Sequence, residues 1–208
     1  QSGNSNNFTV GGGTLTNTLD CPDNVFATWN PLIKQWSGDI VLANGNTKLQ
    51  NSNDWSSMFT TIGAETGKYY WEIKINDISA TTLSFIGVVG GKYVSDGNRL
   101  LNDSTPYDYT DGMLLWQNNG ATIINDNGGG TFATYAAGDI LGFALDLTSA
   151  TKTIQFYKNG TIDSAGSLNL PTNMQTDFVF PHAQVNNNIV FANFGNGYFG
   201  TTAVSSAG

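Results

Sequence analysis

Few side chains in this sequence can act as a nucleophile, a general base or a zinc ligand. The 208 residues include one histidine, His182, and one cysteine. A catalytic triad needs a histidine within reach of a serine or cysteine. His182, however, follows Pro181 inside a strand-like run, which favours a packed or hydrogen-bonded imidazole over a base. A zinc site takes three or four histidine or cysteine ligands, so we predict no catalytic residues, no zinc and no cofactor.

The densest set of potential ligand-binding groups lies between Asn98 and Gly120. The members are carboxylates and aromatic side chains: Asp103, Tyr107, Asp108, Tyr109, Asp111 and Trp116. Such groups are typical of a sugar or peptide groove, and carboxylate oxygens also bind calcium. We predict a ligand-binding loop here, with Asp103, Asp108 and Asp111 as weaker calcium candidates. The alternative is a solvated loop whose aromatic side chains cover the edge of the fold.

Two other segments carry candidates for the same binding surface. They contribute Trp36 and the pair Asn53 and Trp55. An exposed tryptophan is costly unless it meets a ligand, although Trp36 and Trp55 are equally compatible with burial. The glycine-rich run Gly87–Lys92 superficially suggests a nucleotide loop, but its lysine is too close to the first glycine for a phosphate-binding loop.

Composition excludes several classes of partner. Sixteen acidic against eight basic residues give a net charge of −8, which disfavours nucleic acid and anionic membranes. No run of apolar residues is long enough to span a membrane as a helix. Glycine, asparagine and threonine are abundant and glutamate and arginine are scarce, which favours an all-β protein with many turns.

The strands are indicated by apolar residues that alternate along the sequence. In the run from Tyr69 to Ile75, Trp71 and Ile73 fall on one face and Glu72 on the other, as in a half-buried antiparallel strand. The run Leu83–Val89 is nearly continuous in apolar residues and should form a more central strand. The other runs that predict strands are Ile140–Leu147, Thr153–Tyr157, Phe178–Val185 and Ile189–Phe194. Many short strands with such turns between them predict a β-sandwich.

Several of these segments together resemble the SPRY domain, in order and spacing. They are Gly67–Ile75 (GKYYWEIKI), Phe85–Val88 (FIGV), Gly138–Leu147 (GDILGFALDL), Thr153–Gly160 (TIQFYKNG) and Phe180–Gly195, which ends in VFANFG. Residues Val25 to Ser57 match the PRY-type extension more loosely. The resemblance implies a bent sandwich of two antiparallel sheets, of the concanavalin A-like jelly-roll kind, which binds without catalysis. Glucanases of that fold class carry a Glu-x-Asp-x-x-Glu strand, and the two glutamates here, Glu65 and Glu72, do not form it.

We therefore expect a flexible arm at residues 1–20, a SPRY-like sandwich at 21–200 and a tail at 201–208. The expected function is binding or assembly on a virion or outside the cell, as a bacteriophage capsid-decoration or tail-fibre component. Its partners would be other structural subunits, in a homo-oligomer or larger assembly, and a host glycan or protein, without nucleic acid or membrane insertion. The alternatives are a soluble SPRY-type adaptor that binds peptides and a lectin or glycosidase-like sandwich.

Overall fold

The computed structural model describes residues 26–32, 40–52, 55–78, 84–95, 112–125, 127–195 and 199. Within these residues the chain forms 13 strands, one short α-helix and one 3-10 helix. The strands are β1 (Ile40–Ala43), β2 (Lys48–Asn51), β3 (Trp55–Phe59), β4 (Lys68–Ile78), β5 (Phe85–Gly90), β6 (Met113–Gln117), β7 (Ala121–Ile124), β8 (Asn127–Thr131), β9 (Ile140–Asp146), β10 (Thr153–Lys158), β11 (Thr161–Asn169), β12 (Val179–Asn186) and β13 (Asn188–Asn193). The helix α1 spans Gly91–Ser95 and the 3-10 helix spans Thr172–Met174. In the described parts of the chain, no helix is long and apolar enough to cross a membrane.

The strands form two antiparallel sheets. The seven-stranded sheet has the order β1-β2-β13-β4-β9-β10-β11, and the six-stranded sheet has the order β3-β12-β5-β6-β7-β8. Strands β12 and β13 each lie between two strands from earlier in the sequence. Strand β13 lies between β2 and β4, and β12 lies between β3 and β5. The all-β sandwich predicted from the sequence is confirmed.

The core between the sheets follows from the alternation along the strands. Trp71 and Ile73 of β4 point inward and are buried, and the Trp71 ring stacks on Phe143 of β9 at 5.2 Å between centroids. From the other sheet, Val88 of β5 and Trp116 of β6 pack into the same cluster. Burial of these side chains supplies the main driving force for folding.

The six-stranded sheet is apolar on its outer face as well. Phe85 of β5, Leu115 of β6 and Phe59 of β3 belong to a second buried cluster there, and Tyr93 of α1 packs against it. Because both faces are buried, β5 and β6 are buried at every position. The nearly continuous apolar run that predicts a central strand at β5 is explained by this double burial.

Asparagine and glycine shape the turns between strands. Every non-glycine residue with positive φ in the described chain is an asparagine, which tolerates the left-handed region better than other side chains. At the β10–β11 turn, Asn159 has φ 51° and Gly160 has φ 78°, the conformation of a tight hairpin turn. The Asn159 side chain also accepts a hydrogen bond from the Ile140 N–H at 2.8 Å and so ties the turn to β9.

One prediction about the segment from Asn98 to Gly120 needs correction. Its C-terminal part is strand β6, and Trp116 lies in the core at 0% exposure, not in a surface loop. The Trp116 indole nitrogen donates to the carbonyl of Ala133 at 2.9 Å, and the ring meets Tyr135 and Phe156 edge-on. Its indole is therefore out of a ligand's reach.

Candidate functional site

A wide groove lies where α1 meets the loop that leads into β12. We call it the α1 groove. Its lining comes from α1, from the 3-10 helix and from the start of β12: Gly91, Lys92, Val94, Ser95, Asn173, Thr176, Asp177, Phe178 and Phe180. It has a volume of about 630 Å³, within the range of ~300–1,000 Å³ usual for ligand sites.

The Asp177 carboxylate fixes α1 to the opposite wall of the groove. One of its oxygens accepts the backbone N–H of Lys92 at 2.8 Å, and the other accepts the N–H of Phe178 at 2.8 Å. The N–H of Gly91 donates to the carbonyl of Phe178 at 2.7 Å. A Cβ at Gly91 would lie 2.7 Å from the carboxylate, so only glycine allows this close approach. The glycines of the Gly87–Lys92 run thus serve packing.

The floor of the groove is held from below by the 3-10 helix. Met174 is fully buried, and the next residue, Gln175, accepts the N–H of Lys152 at 2.7 Å and donates to the carbonyl of Leu170 at 2.7 Å. Asn125 donates to the Asn173 side chain at 3.3 Å. These bonds tie the groove to both sheets, so its shape is largely fixed before any ligand arrives.

Aromatic side chains form the exposed part of the groove. Phe178 is 50% exposed, whereas Phe180 is partly buried and meets the Phe59 ring edge-on at 6.1 Å. Lys92 and Asp177 place one charge of each sign beside these rings. The site therefore combines apolar contact area with a small number of polar groups, which is the usual composition of a binding site.

One pair of side chains in the described chain resembles catalytic machinery, and it is buried behind the groove. Ser57 Oγ of β3 and His182 Nε2 of β12 lie 2.6 Å apart, and the Tyr93 ring meets the imidazole edge-on at 5.7 Å. His182 is 1% exposed, and burial lowers its pKa to about 3. Its Nδ1 has no hydrogen-bond partner among the described residues, so no carboxylate orients the ring as in a triad. The pair joins two strands, in agreement with the packed histidine expected from the sequence.

The predicted binding residues lie mostly outside the described chain. Asp103, Tyr107, Asp108, Tyr109 and Asp111 fall there, as do Trp36 and Asn53. The predicted loop and its calcium candidates therefore stay predictions. Trp55, at the start of β3, is partly buried and its ring lies 5.7 Å from that of Phe85. Among the described residues, no three of histidine, cysteine, aspartate and glutamate lie close enough to hold a metal ion.

Glu72 lies on the outer face of β4, where the alternation places it. It is 6% exposed, and its carboxylate accepts the Tyr70 hydroxyl at 3.1 Å and the Asn193 amide at 3.5 Å. Burial beside this carboxylate raises the pKa of the Tyr70 phenol well above its usual range. The Glu72 carboxylate thus binds a phenol and an amide among its contacts.

The sequence did not indicate the α1 groove. Its residues come from two segments about 80 positions apart, residues 91–95 and 173–180. The available signal was Phe178, the aromatic first residue of a predicted strand, which follows the polar Thr176 and Asp177. Without the sheet topology, nothing connects these residues to Gly91 and Val94.

The fold and the groove define a class: a two-sheet antiparallel sandwich with a candidate binding groove at one side. The family model of the SPRY domain matches residues 68–197, which is more than half of the chain and includes all the groove-lining residues. The chain belongs to the SPRY domain family. SPRY domains bind protein partners.

Solved structures of the family share this fold. The SPRY domain of human HERC1 has a TM-score of 0.60 and 18% identity, and the match covers 82% of this chain and 99% of that one. A second human SPRY domain has a TM-score of 0.53 and 20% identity, with 77% of this chain and 98% of that one covered. No curated protein matches the sequence significantly.

Proposed function

We propose that this chain is a non-catalytic protein-binding module, and that the α1 groove takes a segment of the partner polypeptide. The observation that carries the proposal is the half-exposed Phe178 ring at a groove with fixed walls. A large aromatic side chain left in water beside a concave surface is typical of an interaction site. Membership of the SPRY family supports protein as the class of ligand.

The fixed geometry of the groove also supports this function. The side chains of Asp177 and Gln175 already hold backbone groups of α1 and of the segment before β10, so little conformational entropy has to be lost on binding. Phe178 and Val94 offer apolar contact. A partner segment that buries the Phe178 ring would gain the free energy of removing that aromatic surface from water.

Selection from a displayed random-peptide library tests the proposal with a matched pair of variants. The intact chain is the bait, and binding of the selected peptides is compared for Phe178→Asp and Val41→Asp. Val41 is 52% exposed on β1 of the other sheet, so its variant reproduces the change in charge and exposure away from the groove. We expect Phe178→Asp to weaken binding by about tenfold or more, as for a central aromatic contact, and Val41→Asp to leave it unchanged.

Two outcomes contradict the proposal. One is a library that yields no peptide bound above the level of an unrelated sandwich domain. The other is a set of peptides whose affinity falls equally in both variants, since that would place their binding surface elsewhere or show a general effect of the added charge.

The virion setting stays a prediction that rests on composition alone. The family model and the structural neighbours give no support to a bacteriophage origin, to assembly with structural subunits or to a glycan ligand, and the extracellular location is likewise a prediction. The soluble SPRY-type adaptor is consistent with the family. Light scattering on the native material separates the two settings: a mass near 22.2 kDa favours the adaptor, and a large symmetric mass favours the assembly.

A further inference from the structure

A second, smaller pocket opens between the two sheets at the end of the sandwich. We call it the end cleft. Trp71 of β4 and Pro181 of β12 line it from the two sheets, and Ile62 and Tyr69 stand at its mouth, 42% and 45% exposed. Its volume is about 160 Å³, below the ~300 Å³ at which pockets for drug-sized ligands begin. A pocket of this size suits one side chain.

The end cleft adjoins the α1 groove. Phe180 lines the groove and Gly63 lines the cleft, and the Phe180 ring lies directly against Gly63. A Cβ at Gly63 would lie 2.5 Å from the ring, so glycine is needed for this contact. A polypeptide that leaves the groove across Phe180 therefore arrives at the mouth of the cleft.

The chemistry of the cleft is apolar, and the indole nitrogen of Trp71 is itself buried from solvent. Of the described residues that line it, none carries a charge. Trp71 is 4% exposed, and its indole N–H has no acceptor among the described residues. An unpaired buried donor is costly. The equally buried Trp116 shows the usual solution, since its indole donates to a carbonyl.

We propose that the end cleft is a second side-chain subsite for the partner polypeptide. It takes one uncharged apolar side chain of about leucine size, which packs beside Trp71. The cleft's neutral lining excludes a charged side chain, because an ion moved there would lose its hydration without a counter-charge. This inference rests on the proposed function of the α1 groove, and it adds the class of residue that the partner places beyond Phe180.

The test is a titration of the intact, ¹⁵N-labelled chain with N-acetyl-leucinamide, followed through the tryptophan indole resonances. The probe carries the apolar side chain on a neutral, capped backbone. We expect a saturable shift of the Trp71 indole signal with a dissociation constant on the order of millimolar, as ligand efficiency allows for so small a probe. The Trp116 indole is the internal control, because its donor is already paired, and its signal should not move.

A matched pair of variants locates the probe. Ile62→Lys places a charge at the mouth of the cleft, whereas Ile162→Lys makes the same change on β11, where Ile162 is 52% exposed. We expect Ile62→Lys to weaken probe binding about tenfold and Ile162→Lys to leave it unchanged. N-acetyl-aspartamide, which adds a carboxylate, should produce no Trp71 shift.

Three outcomes overturn the proposal: an unmoved Trp71 signal, equal probe affinity in both lysine variants, or a Trp71 signal that shifts on dilution without probe. The last would identify a second copy of the chain as the occupant. The titration does not depend on the α1 groove. If the probe causes no Trp71 shift while peptide binding still depends on Phe178, the proposal for the end cleft is refuted and that for the α1 groove stands. If the probe shifts the Trp71 signal but no peptide binding depends on Phe178, the proposal for the α1 groove is refuted and the cleft still binds the probe.

Discussion

The two sheets differ in how their outer faces are packed. The seven-stranded sheet buries one face and keeps polar groups such as Glu72, Lys68 and Asp146 on the other. The six-stranded sheet buries both faces, and its outer one holds the Ser57–His182 pair among apolar side chains. The α1 groove belongs to the second kind of surface. The difference shows that the candidate site lies on the sheet that is buried on both faces, whereas the described strands of the seven-stranded sheet contribute no lining residue to it.

The largest effect should come from the inner face of β4. Trp71→Ala removes a stacked ring from the core and should lower the free energy of unfolding by about 3–5 kcal/mol. Tyr70→Ala, one residue earlier and on the outer face, removes a hydrogen bond to Glu72 and should cost about 1–2 kcal/mol. Urea unfolding of both variants measures the contrast. Equal losses would mean that the outer face of the seven-stranded sheet is as tightly packed as the core.

Acid should act on the six-stranded sheet through His182. Its pKa is about 3 in the folded chain and about 6.5 when unfolded, so between these values the unfolded state binds the extra proton. Stability should therefore fall as the pH drops from about 6.5 toward 3, by about 1.4 kcal/mol per unit from this residue. Unfolding free energies of the wild type and His182→Gln across this window isolate the effect. Parallel pH profiles in the two proteins would contradict it.

Two glycines at the centres of the sheets should differ in their tolerance of a methyl group. A Cβ at Gly87 of β5 would lie 2.1 Å from the Leu114 carbonyl, a backbone atom of the neighbouring strand. At Gly142 of β9 it would lie 2.5 Å from the Tyr70 hydroxyl, which can move. We expect Gly87→Ala to cost about 2–3 kcal/mol and Gly142→Ala about 1 kcal/mol or less. Thermal or urea unfolding of the two variants measures these losses. A larger loss for Gly142→Ala than for Gly87→Ala would contradict the prediction.

The smallest effect should come from the exposed ion pair of the seven-stranded sheet. Lys68 and Asp146 lie 3.5 Å apart with side chains 43% and 26% exposed. Lys68→Met should change the free energy of unfolding by less than about 0.5 kcal/mol, because solvent and salt screen such a pair. A larger loss, removed by added salt, would show that this polar face contributes more than its exposure indicates.

How well the sequence predicts a strand depends on how regularly its apolar residues are spaced. The strands with period-two alternation or long apolar runs are confirmed as β4, β5, β9, β10, β12 and β13. Strands β1, β2, β3, β7, β8 and β11 were not predicted, because they are short or rich in glycine and polar residues, and β6 falls in the segment predicted as a loop. For β6 the cause is a residue such as Trp116, whose type suits a ligand groove and a core equally well.

The candidate site was less predictable than the fold. The sequence pointed to carboxylates and aromatic residues close together in one segment, whereas the α1 groove brings together Val94, which follows β5, and Phe178, which precedes the neighbouring strand β12. His182 was correctly interpreted as a packed residue. Its partner Ser57 lies 125 positions away, and only the pairing of β3 with β12 reveals it.

The positions of β12 and β13 matter for synthesis on the ribosome. Until these strands emerge, β3 has no paired strand in the six-stranded sheet, and β2 is paired with β1 alone in the seven-stranded sheet. Strands β4 and β5 each present an unpaired edge at that stage. Free edges of apolar strands invite pairing with other chains. These edges of the described sheets stay exposed until the β12–β13 hairpin is made, and a chaperone that covers them in that interval would lower the risk of aggregation.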